Sequence, residues 1–208
     1  MPGLFKEVNG YQWPISDLDC MAVVFNRVTD LEIAMRYVSK HTMCVQAGGN
    51  CGVWPNWLAS HFDYVYTFEP EHFNFACLVA NCTKRNIIKS QLALGNMRGN
   101  IAVRYPEGLS NLGACAIGGV GPIPILRLDD LMLPACDFIQ LDIEGYEYDA
   151  VKGAWRTIQL HHPVLMLEDK GLSVEYGKPK GWPAEVLEPI GYKQVDAVER
   201  DVIWKWQG

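Results

Sequence analysis

An α/β fold, with a mostly parallel sheet carrying helices on both faces, is the architecture this sequence predicts. Three observations carry the prediction. Short apolar runs that read as buried strands alternate with segments of helical length and spacing through most of the chain. The stretch VQAGGNCGVW, Val45 to Trp54, packs three glycines into five positions directly after an apolar run. Such a turn lets backbone approach a ligand that a Cβ would push away. An acid, Glu69, stands seventeen residues past Gly52, near the end of the next apolar run.

The elements follow in order. Residues 1–41 are expected to form a helical segment, one helix or a pair, with TDLEIAMRYVSKH opening at a cap on Thr29 or Asp30. TMCVQAG (Thr42 to Gly48) reads as the first strand, Trp54 to Phe62 as a helix, and YVYTFEP (Tyr64 to Pro70) as the second strand. His72 to Asn86 reads as a helix and Ile87 to Leu94 as a third strand. Cys136 to Gly145 is a fourth, buried strand, YEYDAVKGAWRTIQL a helix, and His162 to Asp169 a fifth strand. Residues 96–126, rich in glycine and paired prolines and including Gly108, are expected to be a hairpin-rich insertion. GYKQVDAVERDVIWKW reads as two closing strands joined tightly enough to be antiparallel.

With 208 residues and 49% hydrophobic content the chain can bury one substantial core, so a single domain over 1–208 is expected. A net charge of -6 disfavours nucleic acid as a partner, since phosphate binding rests on clustered Lys and Arg, and Lys84, Arg85 and Lys89 are too few to form a basic face. Seven cysteines without a CxxC pair or a leader-like N-terminus read as reduced thiols in the cytoplasm. No Cys/His spacing matches a metal site, so no metal is expected. No apolar run approaches the ~20 residues that span a bilayer. A homo-oligomer is compatible with this composition.

An open parallel sheet binds ligands outside the carboxyl ends of its strands, and an acid at the end of the second strand can accept both hydroxyls of a ribose. Glycines, Glu69 and alternation together point to a nucleoside-bearing cofactor. Two frames fit the turn: a dinucleotide GxGxxG read through Ala47, Gly49 and Gly52, or a GxNxG turn through Gly48, Asn50 and Gly52, similar to that of S-adenosylmethionine-binding proteins.

Motifs beyond the turn resemble one family. VQAGGNCG stands where FkbM-type methyltransferases, a branch of the class I S-adenosylmethionine-dependent enzymes, have approximately VDVGANxG. TFEPEHFNFACLVAN matches a strand ending in FEP followed by NxxxLxxN. ALG (Ala93 to Gly95) and LDDL (Leu128 to Leu131) match in order. IQLDIEGYEYDAVKGA resembles IKxDxEGxExxxLxGA, and PVLMLE resembles PxxxxE. The resemblance spans about Val45 to Asp169. It implies a Rossmann-like class I fold, a seven-stranded sheet with an antiparallel last strand, and S-adenosyl-L-methionine as cofactor.

It also implies roles. Gly48, Gly49, Asn50 and Gly52 shape the turn around the methionine part, Glu69 with Pro70 holds the ribose, and Ala93 and Leu94 lie where the adenine rests. Two charged positions of the signature are replaced: Gln46 stands for an Asp and Gln140 for a Lys. Gln46 then hydrogen-bonds the cofactor without charge assistance, and restoring Asp there is expected to leave binding equal or tighter unless Gln46 has a partner of its own.

For methyl transfer the protein must position an acceptor and help remove its proton. Asp142 and Glu144 share a face at the end of the fourth strand and Glu168 ends the fifth. These three are the candidate catalytic residues, Asp142 also meeting the cofactor, and a hard divalent ion on them is the alternative use. Asn111, Tyr146 and His162 are candidate substrate contacts, although Tyr146 with Tyr148 reads more readily as packing and His162, with His161, more readily as a helix end. The resemblance favours the hydroxyl of a sugar, glycan or small metabolite as acceptor. A nucleic-acid or protein acceptor, or a binding module that has lost turnover, are the other readings.

Overall fold

The structure is a computed structural model describing residues 3–17, 19–106 and 111–208; Gly108 of the expected insertion lies outside the described residues. The first 41 residues differ from expectation, because a strand hairpin precedes the helix pair. β1 (Phe5–Val8) and β2 (Tyr11–Pro14) pair antiparallel. Between them Asn9 and Gly10 have φ of 52° and 77°, the left-handed pair that an Asn-Gly hairpin turn uses. α1 (Cys20–Arg27) follows, its first turn held by Asp17 Oδ1, which accepts from the Cys20 N–H at 3.1 Å. α2 (Asp30–Met35) begins after Thr29 as expected, but Thr29 is no cap: its hydroxyl donates back to Asn26 O instead.

β3 (Met43–Ala47), α3 (Val53–Leu58), β4 (Tyr64–Phe68), α4 (His72–Asn81) and β5 (Ile87–Ser90) come next. The expected third strand is split. Ile87–Ser90 pairs with β4, whereas β6 (Ala93–Leu94) leaves the sheet to pair with β8 (Ala116–Leu126), itself antiparallel to β7 (Gly99–Arg104). These three form a separate small sheet over the insertion, with Val120 exposed on the strand that closes it.

After a 3-10 turn at Leu128–Leu131 come β9 (Phe138–Leu141), α5 (Glu147–Gly153), α6 (Trp155–His161), β10 (Val164–Glu168), α7 (Trp182–Leu187), β11 (Tyr192–Val198) and β12 (Asp201–Trp206). One helix was expected where α5 and α6 stand; the chain breaks at Ala154 (φ -102°, ψ 9°). Asp129 of the LDDL segment caps the second piece, accepting from the N–H groups of Arg156 and Thr157 at 2.9 and 2.8 Å.

The main sheet has seven strands in the order β11-β12-β10-β9-β3-β4-β5. The pairs among β10, β9, β3, β4 and β5 are parallel, and β12 enters antiparallel. Side chains alternate between two cores. Cys44, Val65, Phe138 and Met166 pack with Leu31 and Leu58 on one face, while Val45, Ile139, Leu141 and Leu165 pack with Ile158 and Trp182 on the other. Near the carboxyl ends the first face turns polar: Thr67, Gln46, Gln140, Glu168 and Asp201 are all buried there. That polar band is the floor of the site.

Candidate active site

A cavity of about 210 Å³ opens at the carboxyl ends of β3, β4 and β9, where an open parallel sheet places ligands. Its roof is α1 on one side and the loop leading into β8 on the other. Trp54 Nε1 donates to Val24 O at 3.2 Å and ties α1 down. Asn74 Nδ2 donates to Leu112 O at 3.0 Å and Tyr105 OH to Glu71 Oε1 at 3.0 Å, which tie down the loop.

The glycine turn is built to let strands touch. At Gly48 (φ 84°) an added Cβ would stand 1.9 Å from the Asp142 carbonyl oxygen, so only glycine lets β3 leave the sheet against the end of β9. At Gly52 (φ 90°) it would meet Cys82 Sγ at 2.5 Å. Glu69 closes over this turn: Oε2 accepts from the Asn50 N–H at 2.7 Å and Oε1 from the Glu71 N–H at 2.8 Å. Burial pushes its carboxyl up to about 7 against those two hydrogen bonds, with the Glu71 charge adding to the rise. Each oxygen keeps a lone pair for a ligand hydroxyl.

Gln46 is engaged on both ends. Its Nε2 donates to Gly48 O at 2.9 Å, and its Oε1 accepts from Thr67 Oγ1 at 2.6 Å. The condition set above is therefore met: Gln46 has partners of its own, and an Asp in its place would lose a donor and face the Gly48 carbonyl with negative charge.

At the other end of the cavity Asp142, Glu144 and Glu168 converge, with one carboxylate oxygen of each within 4.8 Å of the others. Lys170 supplies the countercharge, 2.7 Å from Glu168 Oε1 and 3.1 Å from Glu144 Oε1. Burial opposes the Lys170 ammonium, yet Asp142, Glu168 and Glu144 together hold its pKa up. Burial and then the adjoining Asp142 charge push Glu168 up, with Lys170 pulling back. Glu144 is raised for the same two reasons, with Lys170 pulling back. Among the three carboxylates the cation in place is a lysine.

Gln46, Gly48, Gly49, Asn50, Glu69, Pro70, Ala93, Leu94, Asn111, Asp142 and Glu144 all line the cavity. Gly52 does not: it is the left-handed residue that starts α3. Glu168 stands behind Lys170. Two of the expected substrate contacts lie elsewhere. Tyr146 packs edge-on against Tyr176 at 5.0 Å. His162 ends α6 at φ 48° and stacks on Trp206 at 3.8 Å, at the amino end of β10 and so at the opposite edge of the sheet.

Several residues of the site escaped the sequence reading. Arg27 of α1 lines the cavity and reaches the fully buried Asp201 of β12, as well as Asp30 at 3.1 Å and Glu199 at 3.2 Å. Burial and the Asp142 charge push Asp201 up to about 7 against Arg27. Glu147, second acid of the EGYE segment, accepts from the N–H groups of Ile143 and Gly145 at 2.8 and 3.3 Å and braces the turn that carries Glu144 at φ 54°. Glu147 was legible in the motif but not its use; Arg27 and Asp201 carried no local signal.

The match to known proteins agrees with this geometry. The model of the methyltransferase FkbM domain matches residues 46–193. No curated protein matches the chain. Among solved structures, methyltransferase FkbM from Methylobacillus flagellatus KT superposes with a TM-score of 0.51 at 19% identity, covering 80% of this chain and 44% of that one. The chain thus spans less than half the length of that relative. A ribosomal protein L11 methylase from Lactobacillus delbrueckii subsp. bulgaricus gives 0.51 at 9% identity, over 99% of this chain and 83% of that one. A precorrin-6y C5,15-methyltransferase from Geobacter metallireducens GS-15 gives 0.50 at 14% identity, over 95% and 94%. At such identities these likenesses speak to the fold, a class I Rossmann-like one. The glycine turn, the FEP strand end and the DxEG strand end lie inside the matched span and meet at one cavity, and the chain belongs to the FkbM methyltransferase family, whose methyl donor is S-adenosylmethionine.

Proposed function

We propose that this methyltransferase acts on a hydroxyl of a sugar, glycan or small metabolite. The observation that carries the reading is the carboxylate cluster beside the cavity, with Asp142 facing it and Glu168 and Lys170 behind. The cavity fits the family's cofactor: Gly48, Gly49 and Asn50 would hold its methionine part, Glu69 and Pro70 its ribose, Ala93 and Leu94 its adenine. When bound, the cofactor supplies a methyl group on a positively charged sulfur.

The chain's own residues do the rest. Asn111 lines the side of the cavity open to an acceptor. Asp142 accepts the acceptor's proton as the new carbon to oxygen bond forms, a contribution of ~100 to 10,000-fold for such a base. Glu168 adjoins Asp142 and fixes its surroundings, while Lys170 holds Glu144 and Glu168 in register. Residues 1–208 act as one methyltransferase domain, with the insertion as part of the acceptor wall.

A nucleic-acid acceptor fits less well, because Lys84 and Lys89 are engaged with Ser60 Oγ and Cys82 O rather than aligned as a basic face. No helix among the described residues is long and apolar enough to cross a membrane. All seven cysteines are free, which suits the reducing cytoplasm. The test is release of S-adenosylhomocysteine with panels of sugars, nucleosides, peptides and RNA. Turnover with a hydroxyl-bearing small molecule or glycan supports the proposal, and turnover confined to RNA or peptides overturns it.

A further inference from the structure

In the polar band across the sheet Glu168 and Asp201 each leave one oxygen without a hydrogen-bond partner, and Gln140 leaves both of its polar atoms so. Gln140 is fully buried and lines the cavity, yet neither its Oε1 nor its Nε2 meets a hydrogen-bonding atom. Its cross-strand neighbour is Gln46, which in turn pairs with Thr67. A hydrogen-bond chain runs from Thr67 to Gln46 to Gly48 and ends there, leaving Gln140 outside it. Buried amides are nearly always satisfied, so an orphaned one at a cavity wall marks a contact that is made when the cavity is filled.

The register adds a second observation. Gln46 and Gln140, which stand where the quoted signature has charged residues, are direct partners across β3 and β9. In the signature an Asp would stand opposite a Lys; here an amide stands opposite an amide. Both arrangements are neutral, but either reversion alone buries a lone charge. The two facing positions are therefore expected to be coupled as a single exchange.

We propose that Gln140 positions the amino-acid end of the cofactor, its Nε2 donating to the α-carboxylate and its Oε1 accepting from the α-ammonium, while Gln46 holds the turn above it. Gly48 to Asn50 form the wall beside the methionine part, and Gln140 lies next to Gln46 under that wall. An amide carries its donor and its acceptor on separate atoms of one neutral side chain, so it can meet both charges of a zwitterion at once. The inference rests on the cofactor reading above.

The test compares two ligands by calorimetry on the full chain: S-adenosylhomocysteine, and 5′-methylthioadenosine, which shares the adenosine but lacks the amino-acid end. Gln140→Leu and the closer-fitting Gln140→Met should each weaken the first about tenfold and leave the second within about twofold, as loss of one hydrogen-bonded contact predicts. Unchanged affinity for S-adenosylhomocysteine overturns the proposal, the amide then being met by a water only. Equal loss for both ligands also overturns it, the residue then being structural. If the unaltered chain binds neither ligand, the cofactor reading itself fails, and this inference with it. Thermal melts test the pairing: Gln46→Asp and Gln140→Lys should each lower Tm and the double variant should recover most of the loss, whereas additive losses would dismiss the single-exchange account.

Discussion

Glu69 and Asp142 close two strands of the same sheet and face the same cavity, but they are held in unlike ways. Glu69 is fixed by backbone: the N–H groups of Asn50 and Glu71 are part of the turn and the helix cap that define the fold. Asp142 sits among side chains, beside Glu144, Glu168 and Lys170, whose charges depend on one another. Backbone donors cannot titrate or swing, so on the proposed reading the Glu69 end serves as a rigid rest for a constant ligand. Coupled carboxylates can move a proton among themselves, so on the same reading the Asp142 end is the one suited to chemistry.

The largest expected effect breaks the second end alone. Asp142→Asn nearly keeps shape and should lower turnover by on the order of a hundredfold or more, with S-adenosylhomocysteine affinity within about threefold on the scale of a single weak contact. Stopped turnover assays and calorimetry on one preparation check this, and a parallel fall in turnover and Tm would make Asp142 a structural residue. Loss of activity on chelation, restored by magnesium, would make the cluster a metal site. A smaller effect is expected at the first end. Glu69→Ala should weaken cofactor binding by about 1.5 to 3 kcal/mol, the scale of hydrogen bonds to a charged group, while turnover at saturating cofactor stays near the original. Unaltered affinity in a folded variant would remove Glu69 from the ribose site.

The smallest effect sharpens the comparison through pH. Burial pushes Glu147 up to about 8 in spite of its bonds to the Ile143 and Gly145 N–H groups. Its unfolded value is near the ordinary 4.5, so between pH 4.5 and 8 the folded chain holds a proton that the unfolded chain has released. Stability from this group is complete below pH 4.5 and is lost as pH rises through 8, at no more than about 1.4 kcal/mol per pH unit. Glu147→Gln should flatten that slope in denaturant titrations run from pH 5 to pH 8, and an unchanged slope would assign it to other groups.

Most of the fold was legible because strands buried on both faces leave continuous apolar runs, as in Met43 to Ala47 and Val164 to Glu168. The hairpin at Asn9 and Gly10 was missed, although an Asn-Gly pair marks such turns, because short half-exposed strands such as Phe5 to Val8 give no run to notice. At the site, Glu69 and the three-acid convergence could be placed because they end strands. Lys170 lies two residues beyond Glu168 and could have been placed the same way. Arg27 could not: nothing near it in the chain predicts a partner 174 residues away. His162 misled because a histidine beside a strand carries no mark of which end of the sheet it occupies.

The Arg27 to Asp201 contact also ties together segments from opposite ends of the sequence. Arg27 stands on a helix that roofs the cavity, and its fully buried partner lies on β12, which slots antiparallel between β10 and β11. The cavity is thus clasped between an early helix and the last strand, so that its roof and the closing side of the sheet share one buried ion pair.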